Sequence, residues 1–237
     1  MHLLHVCDAT PAPMSHDMGC GTTHLPSTQA FMRDMHVMHR DMAVRFTCDP
    51  EVDFARSMWP HHLGAADMCE TFFRFAGDDL DPQLAWLCHH IKSSQTSEIQ
   101  QLMRWLYTRG HSVMSSTCGT NDAALSGPVS HAARGDAHHG NEHQDMRRRL
   151  ENGTTHHGTN ATVITPVHMG MALGCGNILC DFAQEMMQAS KVMMDGMTIR
   201  YTGNVNADFC RGMIPHHQGA IDMCMVLRDH ADELQSP

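Results

Sequence analysis

The residues with most to offer chemically are Met58, His61 and His62, which recur as Met213, His216 and His217. Thioether and imidazole are soft and borderline ligands. They suit Cu(I), and by the same reasoning Ag(I), better than hard cations. Each trio sits in a longer string, Met58-Trp-Pro-His-His-Leu-Gly-Ala-Ala-Asp-Met-Cys69 and Met213-Ile-Pro-His-His-Gln-Gly-Ala-Ile-Asp-Met-Cys224, displaced by 213 − 58 = 155 positions. Counted from Asp53 and Asp208, 12 of 17 positions are identical without a gap. A repeated ligand string implies a repeated site.

Other metals fit less well. Zinc usually takes Cys and His at spacings such as C-x2-C with H-x3-H, which this chain lacks. A ferritin-type di-iron centre needs Glu-x-x-His pairs, and no Glu here has His three residues on.

A helix is the element that aligns the string. At about 100° per residue from Met58, His61 falls at about −60°, His62 at about 40°, Met68 at about −80° and Cys69 at about 20°. Arg56 and Asp67 fall on the opposite side, and Met223 repeats the place of Met68. Pro60 and Pro215 interrupt the backbone ladder. We expect a kinked helix that runs through each proline, with Asp53 and Asp208 as earlier caps. The preceding helix answers with its own stripe of Met35, Met38, His39 and Met42, together with Met32. In the second copy the stripe is Met193, Met194 and Met197, with Met186 and Met187. Such a stripe is also ordinary core filler, because Met packs irregular gaps. The adjacent histidines are harder to explain by volume alone, since burying polar groups is costly.

The 155-residue offset holds from about 10–76 to about 165–231 and includes Gly19-Cys20-Gly21 against Gly174-Cys175-Gly176. The chain divides into a polar lead-in (1–29), a first three-helix repeat (30–110), a His/Gly/Ser-rich linker (111–164) and a second repeat (165–237). Helices are expected at about 30–46, 51–76 and 82–110, then at about 182–201 and 206–233. Asp81-Pro82 starts the third helix, and Gly110 stops it. The second repeat reaches Pro237 where its own third helix would begin, so either helix 82–109 serves both repeats or the chain is a fragment. His138-His139, His143 and His156-His157 lie in the linker, where a solvated tract is expected.

Composition supports metal over other partners. The chain has 22 Met, 21 His and 10 Cys among 237 residues, a bias that packing does not require. Its formal net charge is −10 with only 16 Lys+Arg, which argues against nucleic acid. No stretch approaches the length of a membrane span, and no signal peptide is visible. The repeat suggests two disulfides, Cys20 with Cys69 and Cys175 with Cys224. The rival view makes Cys69 and Cys224 thiolate ligands in a reducing compartment.

Met-x-Pro-His-His-x-x-Ala-x-x-Met preceded by Asp-Phe resembles the signature of the Domain of Unknown Function 305 family. The upstream Met-rich helices (31–46 and 186–201) and the downstream residues Ile91, Gln95, Glu98, Ile99, Met103, Trp105 and Leu106 extend the resemblance. It implies an all-α, ferritin-like helical bundle built from two helix-pair repeats, the first with a third helix, and usually an extracytoplasmic, periplasmic or secreted home. Through CopM-type copper-binding proteins it implies Cu(I) ligation by Met and His. The leading expectation is therefore a non-enzymatic protein for copper sequestration, tolerance or trafficking, with a possible metal-delivery partner. The alternatives are a metal-dependent redox enzyme, or a disulfide-stapled helical protein with an incidental Met/His bias.

Overall fold

Asp49 caps the central helix by accepting the N–H of Val52, and Pro50 occupies the first turn, where its missing N–H leaves nothing unsatisfied. The computed structural model describes residues 19–114, 118 and 173–234, with side chains to His230. These belong to one unit built from 1–118 and 164–237; residues 119–163 form a second unit that lies outside the described residues. The first 18 residues of the lead-in and most of the expected linker, with its His pairs, lie outside them too.

The five helices among the described residues are α1 (Pro26–Met42), α2 (Pro50–Ala76), α3 (Pro82–Thr108), α4 (Asp181–Met197) and α5 (Val205–Leu234). The protein is all-α, as expected. Asp81 caps α3 by accepting from Gln83 and Leu84, with Pro82 next. Pro60 and Pro215 lie inside continuous helices, as expected of helices that run through. In each repeat the Met-rich helix packs on the His-bearing one, α1 on α2 and α4 on α5, while α3 lies on α2. The two His-bearing helices, α2 and α5, meet each other at the centre.

Asp53 and Asp208 do not cap these helices. Each is buried and reaches back into the preceding turn. The N–H and hydroxyl of Thr47 and the N–H of Cys48 donate to Asp53 at 2.8–2.9 Å. Thr202 and Gly203 do the same for Asp208 at 2.8–3.1 Å. The turn needs a left-handed residue, which is Gly203 (φ 83°) in one copy and Cys48 (φ 68°) in the other.

The Met-rich helices end earlier than the periodicity suggests, because the chain next enters short ladders. Arg45–Phe46 (β2) pairs in parallel with Cys175–Gly176 (β3), and Cys20–Gly21 (β1) pairs with Arg200–Tyr201 (β4). The two lead-ins are thus exchanged: each repeat's Gly-Cys-Gly segment pairs with the other repeat.

This exchange overturns the expected disulfides. Cys48 is bonded to Cys180 and Cys118 to Cys175, while Cys69 and Cys224 are free thiols. Cys20 is disulfide-bonded, but not to Cys69. The lead-in of each repeat lies on the opposite repeat, so its cysteine never meets the second helix of its own.

The expected linker also begins later than 111. His111 stacks on Trp105, Arg56 donates to the carbonyl of Ser112, and the Trp59 indole donates to that of Val113. Cys118 is held by its disulfide and by the carbonyl of Ala43. One apolar core gathers Met35, Met38, Met42, Met58 and Met68 from the first repeat with Met193, Met194, Met197, Met213 and Met223 from the second.

Candidate metal centre

His61 and His216 face each other where α2 and α5 meet. Their ring centroids are 3.8 Å apart, and neither side chain is exposed at all. The Nε2–H of each donates to the backbone carbonyl of the other, both at 3.1 Å. That exchange fixes the tautomer. With Nε2 protonated, Nδ1 carries the bare lone pair, and in both residues it is buried without a hydrogen-bond partner.

Burial, followed by the charge of His62, holds His61 at about 3. Burial and the facing His61 hold His216 well below the usual imidazole range. Both rings are neutral at any physiological pH. A buried, deprotonated, unpartnered nitrogen is costly in a folded protein unless something else satisfies it.

The second histidine of each string behaves differently in the two copies. His62 donates from Nε2 to Glu98 of α3 at 2.9 Å. Burial and the charge of His217 keep it down at about 4 despite that carboxylate, and its Nδ1 has no hydrogen-bond partner. This is the arrangement in which a carboxylate orients a ligating imidazole. His217 instead donates from Nδ1 to the carbonyl of Met213, one turn back on its own helix, at 3.0 Å.

The sulfur stripes flank this crossing. Met38 lies directly on Gly64 and Met193 on Gly219, so closely that a Cβ at either glycine would fall 2.5–2.6 Å from the thioether sulfur. Gly64 and Gly219 stand three residues beyond His61 and His216. They are the positions the wheel argument missed, and their identity in both copies was the available signal. Met68 approaches Gly212 of the opposite repeat with its methyl.

Four expected residues come together about one small cavity: His39 and Met42 from α1, Met193 and Met194 from α4, with Leu173 and Ser190 completing the wall. Its empty volume is about 210 Å³, mouth included. Met193 links the cavity to α5, since it lines the cavity and also lies on Gly219 one turn beyond His216.

Other expected residues are placed elsewhere. Met35 accepts a hydrogen bond from the Tyr201 hydroxyl at 3.8 Å, so its sulfur already has a partner. Met58, Met197, Met213 and Met223 are buried in the core, and their shared burial does not by itself put their sulfurs on one point.

Among the described residues no three His, Cys, Asp or Glu side chains form a group that could hold a metal ion. A centre here must therefore take thioether sulfur alongside imidazole. By chemistry, neutral imidazole nitrogen and thioether sulfur suit a soft monovalent cation and do not suit a hard one.

No curated protein and no solved structure matches this chain. A protein-family model does match, over residues 51–172, which takes in α2 with its His pair, α3 and the segment that follows. The chain belongs to the family described as Domain of unknown function (DUF305).

Proposed function

We propose that this protein binds Cu(I), with Ag(I) as a chemical mimic, and serves copper sequestration, tolerance or trafficking without catalysing a reaction. The observation that carries the reading is the pair of buried, unprotonated Nδ1 atoms on His61 and His216. A core that needed only volume would be filled more cheaply by apolar side chains. Cu(I) is the physiological cation that takes neutral imidazole and thioether in a dry site. The cavity lined by His39, Met42, Met193 and Met194 supports the reading, because it gathers thioether and imidazole from both repeats.

The Cys48–Cys180 and Cys118–Cys175 disulfides favour an oxidising compartment, periplasmic or secreted, where thioether ligands persist. No helix among the described residues is long and apolar enough to cross a membrane. Release of the ion to a delivery partner would follow from ligands that hold it without any carboxylate cage.

The test is an anaerobic Cu(I) titration against a competing chelator. Wild type is compared with a variant in which Met58, His61, His62, Met213, His216 and His217 are all Ala. Weaker retention and a lower stoichiometry are expected. Unchanged binding rejects the assignment.

A further inference from the structure

One stripe of α2 faces α3 and the segment after it: Arg56, Trp59, Leu63, Ala66, Glu70 and Phe73. Near its C-terminal end Glu70 pairs with Lys92 of α3, and the Phe73 ring lies 4.9 Å from that of His89. Near its N-terminal end Arg56 and Trp59 donate to the carbonyls of Ser112 and Val113, just past the end of α3. The 155-residue offset carries this stripe onto Arg211, Ile214, Gln218, Ile221, Met225 and Arg228 of α5. There all six residues are exposed, Ile221 at 54% and Met225 at 47%.

The steps along the stripe alternate between three and four residues, the a/d spacing of helices that pack side by side. Its middle is also more apolar than in the covered copy, with Ile221 in place of Ala66 and Met225 in place of Glu70. A row of apolar side chains left in water marks a surface that something else covers. The spacing says that the cover is a helix.

We propose that this stripe is a homodimer seam, in which α5 of a second copy packs antiparallel on α5 of the first. In that register Ile214 meets the partner's Met225, and Gln218 meets the partner's Ile221. Arg211 comes beside the partner's Asp229, and both side chains are solvent-accessible in the single chain. A parallel seam would set Arg211 against its own copy and give it no acid across the interface. The two-fold arrangement is self-complementary and closes at two copies. Residues 119–163 of the same chain, the rival occupant, offer no three large apolar residues at helical spacing.

The seam from Arg211 to Arg228 is about 27 Å long at the rise of a helix, short for a specific interface. The copies therefore separate on dilution, and folding measured in dilute solution reads the monomer, with this face of α5 in water.

The test is sedimentation equilibrium of the full, metal-free chain from about 1 µM to about 1 mM. Cys224→Ser is carried throughout, because that exposed free thiol flanks the stripe and a disulfide there would hold copies together by itself. The average mass should climb from 26.4 kDa toward twice that value. Ile221→Glu with Met225→Glu should weaken association by about 30-fold or more, as loss of central apolar contacts does. Val192→Glu, 50% exposed on α4 and off the stripe, should leave it unchanged. Arg211→Glu and Asp229→Arg should each weaken the dimer several-fold, and the two together should restore it.

Circular dichroism of each variant checks that the helices persist. A mass that stays at 26.4 kDa throughout overturns the proposal, and so does a dimer indifferent to the Ile221 and Met225 substitutions. A charge-swapped double variant weaker than either single one overturns the antiparallel seam. None of these outcomes bears on the Met/His reading, because the protein is metal-free and no proposed ligand is changed.

Discussion

The first and second repeats carry the same ligand string, yet only half of each string behaves alike. His61 and His216 are interchangeable because each satisfies the other, so their environment is set by the crossing itself. His62 and His217 diverge because their partner lies outside the pair. α3 brings Glu98 to His62, whereas His217 turns back to the carbonyl of Met213. Trp59 and Cys69 are buried, Trp59 with the segment after α3 over it, while the corresponding Ile214 and Cys224 stand exposed on α5. A repeated sequence therefore gives a repeated site only where the contacts are themselves repeated.

The largest effect expected from this comparison is acid lability. In the unfolded chain His61, His62 and His216 protonate near 6.5. In the folded chain His61 waits until about 3 and His62 until about 4, and His216 lies well below the normal value. Folded pKa values below unfolded ones mean that the unfolded state binds more protons in between. Stability is then fully present above about pH 6.5 and is lost as pH falls toward 4, at about 1.4 kcal/mol per pH unit for each such proton.

Asp34 works in the opposite sense. Burial pushes its carboxyl up to about 7, against the hydrogen bond from Thr71, so its contribution is present at low pH and is lost as pH rises through about 7. Ala189 holds the corresponding position in the second repeat, so this offset belongs to the first alone. Chemical denaturation across pH 4–7 should show Asp34→Asn losing stability more steeply on acidification than wild type. Equal slopes would remove Asp34 from the account.

Next in size is the crossing. His61→Ala and His216→Ala should each cost about 2–5 kcal/mol, because each leaves a cavity and takes away the partner of a buried imidazole N–H. The two losses should be nearly equal, and the double variant should lose less than their sum, since both remove one shared arrangement. Urea unfolding measures all three. A difference between the single variants as large as either loss would break the equivalence of the first histidines.

Much of this was legible in the chain and some was not. The helical wheel put Met58, His61 and Met68 on the buried face of α2, and all three are buried there. It also placed Met38, His39 and Met42 correctly on the buried face of α1. Periodicity is local, and these are local facts.

The disulfides were not legible, because repeat logic pairs equivalent cysteines within a unit and the ladders exchange the lead-ins between units. The equivalent of the Cys48–Cys180 bridge is Gly203 against Leu25, an apolar contact no cysteine pattern announces. The role of Asp53 was misjudged for a related reason. Its spacing suits a cap, but Asp49 already fills that position, which frees Asp53 to order the turn. Glu98 was part of a family resemblance before the structure gave it a partner in His62.

Glu98→Gln separates the second histidines. An orienting carboxylate beside a ligating imidazole is worth about 10–100-fold in metal affinity. On the proposed Cu(I) reading, the loss should follow His62, the residue that Glu98 holds, and not His217. Titrating Glu98→Gln in the background of His217→Ala, and then of His62→Ala, assigns it. An equal loss in both backgrounds would mean that Glu98 acts on the whole bundle and not on His62.

The smallest effect concerns the face of α2 that the segment after α3 covers and the matching face of α5. Ile214 is 71% exposed on α5, and the corresponding Trp59 of α2 is 7% exposed with its indole donating to Val113. An exposed apolar side chain adds little to folding, so Ile214→Ser should change stability by no more than about 0.5 kcal/mol. Trp59→Ser, at the same place in the string, should cost about 3–5 kcal/mol, as removal of a buried aromatic does. The contrast isolates what the segment at and after the end of α3 contributes, since the flanking Met, Pro and His residues are the same in both copies. If Ile214→Ser proved as damaging as Trp59→Ser, the outer face of α5 would have to be covered in solution, and the asymmetry between the repeats would be far smaller than their side chains suggest.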